Sequence, residues 1–532
     1  MRKISLLLSI TALFTLVFLA DFTWSAESKP MPKRTLKNNM SEVYNILPDP
    51  ATCFSEIFTK GMYYGRLRLN YFYYDNYASS LHDPTGFAVG GSLIYKTAPL
   101  HGLSATAGFY TAQNLGLLDK EDALFGKTGK DTFSRYDRLK DGDWGMNVLA
   151  QAYAQYSIFK TDLKVGRQIY ESFLTTSNDT KFIPVTFEGY TIYSEYVPAT
   201  TLSLAWLTAM KLRDHTTFHD VITYDDRQDE VYNYKGNNVY LRAFNDMDDG
   251  SAHKGLSYLK LKAAGEDVEN DLVIAGVSNK SIKNLTFDVW YTGVPDLFYS
   301  LMAEPNYDIA LPDGWILTPG FRYMQQFDNG AGEIGGAALN GKLVTGFDPV
   351  TGRPVVPSGH YRGYRDADNV DSKMYAARLV LKKGAGNVMV GYSKIADEAD
   401  LITPWRGFPT GGYTRTMGES NWQADCASWM FLAFYDFDKA GMIKGFRASI
   451  DFVTSDEDDL KEHLNGDSLG TDRYVVHSDL WYRFQSLPDL EARVRFKWLD
   501  GDDRTNAATY NKFGSSVDPS YSDIRFELNY LF

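Results

Sequence analysis

The last twelve residues of the chain, 521–532, alternate between apolar and polar side chains. The apolar set is Ile524, Phe526, Leu528, Tyr530 and Phe532, and the polar set is Arg525, Glu527 and Asn529. Because successive side chains of an extended strand point to opposite faces, one face of this segment is apolar and the other polar. This pattern is typical of a strand between lipid and water that ends on an interfacial aromatic residue. The alternative at this point is an edge strand of a soluble sandwich.

The same alternation recurs along the chain from Gly61 onward, for example in 61–75, 146–158 and 490–499. In 146–158, it predicts one face made of Val148, Ala150, Ala152, Ala154, Tyr156 and Ile158, opposite Asn147, Gln151, Tyr153 and Gln155. A buried parallel sheet would instead show continuous apolar runs. After residue 20, no stretch approaches the roughly 20 apolar residues that a membrane helix needs. A membrane-spanning chain of this kind must therefore cross with strands.

The connections between these candidate strands alternate between short and long. The short ones are 98–101, 159–161, 198–201, 311–314, 384–387, 438–441 and 487–490, and the long ones are 112–144, 169–188, 213–269, 326–371, 396–425, 454–472 and 500–520. Nineteen segments alternate, but counting 256–264 as a strand would place every later short turn outside. We therefore assign 256–264 to the fourth long loop, as a hairpin or another ordered piece. The prediction is an all-β transmembrane antiparallel barrel of 18 strands, with short periplasmic turns, long external loops and the third long loop folded into the pore.

The order of segments predicts export to the outer membrane of a Gram-negative-type cell. Residues 1–26 have the form of a cleaved signal peptide, with Arg2 and Lys3 before an apolar run. Residues 27–60 are expected to form a periplasmic segment and 61–532 the barrel. Cys53 and Cys426 could form a disulfide in an oxidising compartment, but they lie in distant parts of the sequence.

When the strands are assigned in this way, many basic side chains are predicted to face the lumen. They are Arg66, Arg68, Arg322, Arg378, Lys382, Arg447, Arg483, Arg493, Arg495, Lys497 and Arg525. Most fall on strands 15 to 18 and strand 1, which are neighbours in a closed barrel, so they would form a basic ladder able to guide carboxylates or phosphates. The alternative is that these cations pair with inward Asp451, Asp479, Glu491 and Glu527 and merely solvate the wall.

The third long loop, within 166–190, is the other candidate site. It contains the charged residues Arg167, Asp179, Lys181 and Glu188 among apolar residues such as Phe182. A loop this apolar is expected to fold inward and narrow the pore. Alternatively, it packs against the rim or a neighbouring subunit.

Other classes of function find little support in the sequence. A net charge of −13 argues against nucleic acid as a partner. The sequence contains no HExxH or Walker motif and no metal-ligand spacing of Cys or His, so we expect neither an enzyme nor a metal or other cofactor. The main hypothesis is a porin for small hydrophilic solutes and ions in the lipid bilayer. The alternative is a plugged structural or adhesive barrel that binds partners through its loops.

The sequence also resembles the OprD-type outer membrane porin family. The resemblance rests on YKTAPLHGLSATAGFYTAQNLG (95–116), GRQ (166–168) with NDTKFIPVTFEGY (178–190), DSKMYAARLVLKKGAGNVMVGYSKI (371–395) and PWRGFP (404–409). It implies an 18-stranded barrel, a homotrimer as one possible assembly, an inward third loop and a basic ladder for small anionic or zwitterionic solutes. Residues that match the ladder and the constriction loop are Arg66, Arg68, Arg378, Asp179, Lys181, Phe182 and Glu188.

Overall fold

In the computed structural model of this chain, a closed β-sheet separates an inner surface from an outer surface. The structure describes residues 48–78, 83–115, 132–177, 182–225, 253–341, 362–461, 472–501 and 518–532, together with the backbone of three two-stranded hairpins, Arg34–Leu36 with Glu42–Tyr44, Val231–Tyr234 with Asn237–Tyr240 and Gly346–Phe347 with Pro354–Val355. The expected signal peptide, 1–26, lies outside the described residues.

Within that part of the chain, eighteen antiparallel strands close into a barrel. They are β1 Met62–Asn76, β2 Thr85–Lys96, β3 Leu103–Gln113, β4 Gly145–Ile158, β5 Thr161–Gln168, β6 Thr186–Ser194, β7 Thr200–Lys211, β8 Leu272–Asn279, β9 Leu285–Val294, β10 Phe298–Tyr307 (extended by Ile309–Ala310), β11 Ile316–Asp328, β12 Ser372–Lys383, β13 Gly386–Ile395, β14 Ala427–Asp436, β15 Phe446–Asp456, β16 Arg473–Arg483, β17 Leu490–Gly501 and β18 Tyr521–Leu531. The predicted strand count and fold class are confirmed.

The C-terminal strand closes the barrel against the first strand. Leu528 of β18 lies opposite Leu69 of β1, and Phe532 and Gly65 exchange backbone hydrogen bonds of 3.0 and 3.1 Å. Arg525, Glu527 and Asn529 are buried inside the barrel, as the alternation of the terminal segment predicts. The segment therefore completes the ladder of hydrogen bonds and leaves no open sheet edge there.

Short turns connect the strands at the periplasmic end, and longer loops leave the external end. We name the external loops L1 to L9: 77–84, 114–144, 169–185, 212–271, 295–297, 329–371, 396–426, 457–472 and 502–520. L5 is only three residues long, so the length asymmetry holds for most of the external loops rather than all of them.

Four short α-helices lie outside the strands of the described residues: α1 Phe54–Thr59, α2 Arg135–Lys140, α3 Tyr258–Ala264 and α4 Ala331–Gly335, with a 3₁₀ turn at Pro312–Gly314. No helix in the described part of the chain has the length and apolar character to cross a membrane. α3 occupies most of 256–264, which confirms the placement of this segment in a loop. Leu, Lys and Ala favour a helix, and Gly265 at φ +83° ends it in the left-handed conformation.

A β-bulge changes which face of β4 points inward. The pairing of β3 with β4 shifts between Gly108 and Phe109, so that one residue of β4 is extra. Val148 and Ala150 are consequently buried inside the barrel, whereas Tyr156 and Ile158 are exposed on its outer face. The prediction of one common face for Val148 to Ile158 is therefore wrong, because an inserted residue inverts the parity of everything beyond it.

An apolar cluster, which we call the loop core, fills the side of the lumen bounded by β7 to β12. The inner faces of these strands contribute Leu207, Leu272, Phe298, Met302, Met324 and Met374, and the loops contribute Leu174, Val221, Tyr224, Leu261, Trp405 and Trp422. Trp405 stacks on Phe298 at 6.0 Å and donates its indole N–H to the Val221 carbonyl at 2.8 Å. Loops L3, L4 and L7 thus fold into the barrel and pack against one another.

Both cysteines are free thiols, so the conceivable disulfide is absent. Cys53 lies exposed just before α1 at the periplasmic rim, whereas Cys426 is buried at the start of β14 at the external end. The two are held at opposite ends of the barrel.

Candidate functional site: a charged lumen wall

The inner faces of β15, β16, β17, β18 and β1 form a continuous polar surface, which we call the charged wall. Its cations are Arg66, Arg68, Arg447, Arg473, Arg483, Arg493, Arg495, Lys497 and Arg525, and its carboxylates are Asp451, Asp479, Glu491, Asp523 and Glu527. On these strands, therefore, nine cations accompany five carboxylates. Strand pairing brings them together because cross-strand neighbours lie about 5 Å apart.

The centre of the wall is built around Asp479. Its carboxylate accepts hydrogen bonds from Arg493 Nη2 at 2.6 Å and from Arg495 Nε at 2.7 Å. All three side chains are buried. One negative charge therefore serves two guanidinium groups, and the local charge is positive.

The neighbouring strands add two further ion pairs. Arg68 of β1 contacts Glu527 of β18 at 3.2 Å, and Arg525 Nε donates to Asp523 at 2.9 Å and Arg525 Nη2 to the Tyr74 hydroxyl at 3.0 Å. Arg66 is also fully buried on the same face. Burying charges is unfavourable unless they are paired, so these contacts explain how strands this charged remain folded.

The periplasmic end of the wall is more open. Arg447 and Arg483 both contact Glu491, at 2.7 and 3.3 Å, and their side chains are 34% and 51% exposed. The Trp481 ring lies between Arg447 and Arg493, with centroid distances of 5.6 and 5.0 Å. This end therefore offers solvent-accessible cations beside an aromatic face.

Arg378 lies on a different side of the lumen from the charged wall. On β12 it donates to Glu304 at 3.1 Å, and Arg322 of β11 donates to the same carboxylate at 2.6 Å. The ring of Tyr413 lies 4.6 Å from both guanidinium groups. β13 and β14 separate this pair from β15, so the basic residues form two groups and not one unbroken ladder.

L3 enters the barrel, and Phe182 is one of its fully buried residues. Phe182 is fully buried against Tyr110, Val148 and Ala150, and the Arg68 guanidinium lies 5.7 Å from its ring. The bulge in β4 is what turns Val148 and Ala150 toward this ring. Asp179 and Lys181, which were predicted to belong to the constriction, lie outside the described residues.

Arg167 and Glu188 do not belong to the constriction loop. They are paired residues of β5 and β6, and they share the outward parity of Val165 and Tyr190. Their side chains meet at 3.2 Å and are 40% and 43% exposed, and the Phe218 ring covers Arg167 at 4.5 Å. The prediction was wrong for these two residues because β5 continues through Gln168 and β6 begins at Thr186, so that L3 spans only 169–185.

L7 is the main feature that sequence reasoning missed. Its backbone at Gly411 and Gly412 accepts hydrogen bonds from Arg322 at 2.9 Å and from Arg378 at 2.8 Å. Further along, Thr416 donates to Asp451 of β15 at 2.5 Å. L7 therefore crosses the inside of the barrel from β11 to the charged wall. A run of Gly and Thr at 410–418 is the signal that was available, but it shows no periodicity.

Glu419 attaches the later part of L7 to the charged wall through hydrogen bonds. Its carboxylate accepts from Lys497 at 2.5 Å, from the Tyr521 hydroxyl at 2.6 Å and from Arg473 at 3.0 Å. Four charged or phenolic side chains thus converge on one point near the external end. No residue of this set except Lys497 was a sequence-based candidate.

L7 also adds a cation to the wall. Arg415 is half-buried, and its guanidinium lies 3.5 Å from the centroid of the Phe408 ring. Burial first, and then the guanidinium groups of Arg213 and Arg495, lowers the pKa of Arg415 to about 9. Arg415 therefore remains protonated at neutral pH and adds to the positive charge near Asp479.

An antiparallel barrel of this size, with loops folded into a charged lumen, defines the class of outer membrane β-barrel porins. A family model described as outer membrane porin, OprD family, matches residues 126–518, well over half of the chain, and the chain belongs to this family. The family consists of porins, which places the protein in the outer membrane of a Gram-negative cell as a channel for small solutes.

Solved structures show the same fold at low sequence identity. Acinetobacter baumannii OccAB3 aligns with a TM-score of 0.62 and 16% identity, covering 88% of this chain and 99% of that one. Acinetobacter baumannii OccAB1 gives 0.62 and 14%, covering 90% and 97%, and Pseudomonas aeruginosa OpdQ gives 0.58 and 17%, covering 90% and 99%. A sequence search against curated proteins gives no significant match.

Proposed function

We propose that this porin passes small carboxylate-bearing or zwitterionic solutes by passive diffusion along the charged wall. The observation that supports this best is the excess of cations there, with Arg493 and Arg495 sharing the single carboxylate of Asp479. Guanidinium groups bind carboxylates through two parallel donors and stay charged at any physiological pH. A solute carboxylate would exchange from one cation to the next without any energy source.

Two further observations favour organic acids over simple inorganic anions. The Trp481 ring lies beside Arg447 and Arg493 of the charged wall, so a solute with an apolar body would contact the ring while its carboxylate binds a cation. The structure of Pseudomonas aeruginosa OpdK, similar in fold with a TM-score of 0.58, was determined with vanillate, which is an aromatic carboxylate.

L7 adds a feature at the external entrance. Glu419 places a carboxylate of the protein itself against Lys497, Tyr521 and Arg473. An incoming solute carboxylate would compete with Glu419 for the same donors, because its chemistry is the same. We infer that exchange at this point admits the solute past L7.

The test is ion selectivity in a planar bilayer under a salt gradient. Replacing Arg66, Arg68 and Arg495 together with Gln should shift the reversal potential toward cation selectivity, since three inward charges are lost. Arg167→Gln is the matched control, because that arginine faces outward. Equal reversal potentials for the triple variant and the native protein would contradict the proposal.

The alternative is a plugged structural or adhesive barrel. The loop core supports it, because it packs several loops, L3, L4 and L7 among them, into one side of the lumen. The same recordings decide between the two proposals: a correctly folded, heat-modifiable barrel that gives no conductance steps would favour the plugged barrel.

A further inference from the structure

The helix α1 is amphipathic although it is only six residues long. At about 100° per residue, Phe54, Ile57 and Phe58 fall on one side of the helix, and the polar residues fall on the other. The polar residues are Ser55, Glu56, Thr59 and the following Lys60. Phe54 and Phe58 are 72% and 56% exposed, and their rings meet edge to face at 5.7 Å. Two neighbouring exposed phenylalanines form an apolar surface whose contact with water is unfavourable.

This helix is fixed to the barrel rim. The Ala98 amide donates to the Ile57 carbonyl at 2.9 Å, and the Ala51 amide donates to the Pro99 carbonyl at 2.9 Å. Both acceptor–donor pairs connect the segment to the first periplasmic turn, between β2 and β3. The orientation of the two phenylalanines is therefore set by the backbone.

The attachment lies on the outer side of the barrel. The Tyr95 hydroxyl donates to the Phe58 carbonyl at 3.0 Å, and the Tyr95 ring packs against Tyr63 at 4.6 Å. Tyr63 shares the outward parity of Leu67 and is 65% exposed, so this aromatic pair belongs to the lipid-facing surface at the periplasmic end. Tyrosines at that level typically mark the interface between lipid and water.

We propose that α1 is an interfacial anchor whose Phe54 and Phe58 side chains insert into the periplasmic leaflet of the outer membrane beside Tyr63 and Tyr95. The partner is phospholipid, because the apolar face continues the lipid-facing aromatic belt directly. The polar face, with Glu56 and Lys60 paired at 2.9 Å, then lies toward the periplasm. The anchor holds the start of β1 and the first periplasmic turn at a fixed depth.

Spin labelling of the full-length protein in phosphatidylethanolamine–phosphatidylglycerol bilayers tests this. The substitutions Phe54→Cys, Phe58→Cys and Thr59→Cys are introduced one at a time into a Cys53→Ser background, in which buried Cys426 should not react. We expect labels at 54 and 58 to collide more with oxygen than with a water-soluble nickel complex. The Thr59 label, on the polar face, should show the opposite preference.

Two outcomes would overturn the proposal. Equal access of the nickel complex to all three labels would place the helix in water. Protection of positions 54 and 58 from both reagents would mean that protein, either a second copy or a periplasmic partner, covers the face. The heat-induced shift in electrophoretic mobility verifies for each variant that the barrel has formed.

Discussion

The two sides of the lumen differ in chemistry, because one is apolar and the other is charged. On the side of β7 to β12, methionine, leucine and aromatic side chains of the wall pack against loop residues such as Trp405 and exclude water. On the side of β15 to β1, arginines and carboxylates face inward in pairs that leave positive charge in excess. Apolar burial holds loops in place, whereas paired charges remain costly to dehydrate and favour water or a charged solute. The first side therefore positions the loops, and the second is the candidate path.

L7 connects the two sides, which makes its two ends directly comparable. Near one end, Trp405 is buried in the loop core and holds L7 by packing. Near the other, Glu419 holds L7 by hydrogen bonds to cations of the charged wall. If this division is correct, substitutions at the two ends of L7 should differ in the size of their effect on the channel. Their effects should also depend differently on salt concentration.

The largest effect is expected from Trp405→Ala. It removes a stacked ring and the hydrogen bond to Val221, and truncating a buried Trp typically costs about 3–5 kcal/mol. The barrel should still form, but L7 should no longer be fixed, so that conductance rises and becomes noisier at all salt concentrations. Trp429→Ala, on the exposed outer face of β14, is the matched control.

Single-channel recording and the rate of uptake of bulky solutes measure this effect. If Trp405→Ala gives the same steady conductance as Trp429→Ala, the loop core does not position L7, and the comparison between the two sides fails.

A smaller effect is expected from Glu419→Gln. Gln keeps the shape but loses the charge that Lys497 and Arg473 share, and hydrogen bonds to charged groups contribute about 1.5–3 kcal/mol. L7 should be released more often, and the cations it leaves behind should raise anion selectivity. The difference from the native protein should shrink as salt increases, because screening weakens the contacts in the native protein as well.

Glu266→Gln, at an exposed site after α3, controls for the loss of one negative charge from the loops. Reversal potentials and open-state lifetimes at two salt concentrations give the result. A salt-independent change, or an equal change in the control variant, would show that Glu419 does not act through the charged wall.

The different chemistry of the two sides also explains what could be predicted from the sequence. Alternation in strands such as β1 and β18 repeats every two residues, so the inward parity of Arg66, Arg68 and Arg525 follows from local sequence alone. The bulge at Gly108 involves a single extra residue, and either parity of β4 is compatible with its mixture of Ala, Gln and Tyr. Strand ends carry no periodic signal, which is why Arg167 and Glu188 were assigned to the loop rather than to β5 and β6.

Loop packing inside the barrel was the least predictable part. The contacts of Trp405 with Val221 and of Glu419 with Lys497 join residues that are far apart in sequence. Such contacts depend on the closed barrel that brings the loops together, and no local pattern encodes them. The apolar composition of L3 did predict its inward fold, because exposed apolar loops are unfavourable.

The smallest effect at neutral pH, and one that appears only in acid, is expected at His253. Burial lowers the pKa of His253 to about 4; its Nε2 donates to the Gly336 carbonyl at 2.6 Å and its Nδ1 accepts from the Gly255 amide at 3.0 Å. A lowered pKa in the folded state means that the contact stabilises fully above pH 6.5 and loses its contribution as pH falls toward 4. Protonated Nδ1 can no longer accept from Gly255, so the contact between L4 and L6 should open while L3 and Trp405 stay packed.

Hydrogen exchange of peptides covering 253–264, corrected for the intrinsic rate, should accelerate between pH 6.5 and pH 4 in the native protein. His253→Gln should abolish this pH dependence, and His101→Gln, at an exposed periplasmic turn, should retain it. If exchange also accelerates in His253→Gln, another group causes the acid sensitivity. The contacts of His253 on the apolar side of the lumen would then not depend on pH.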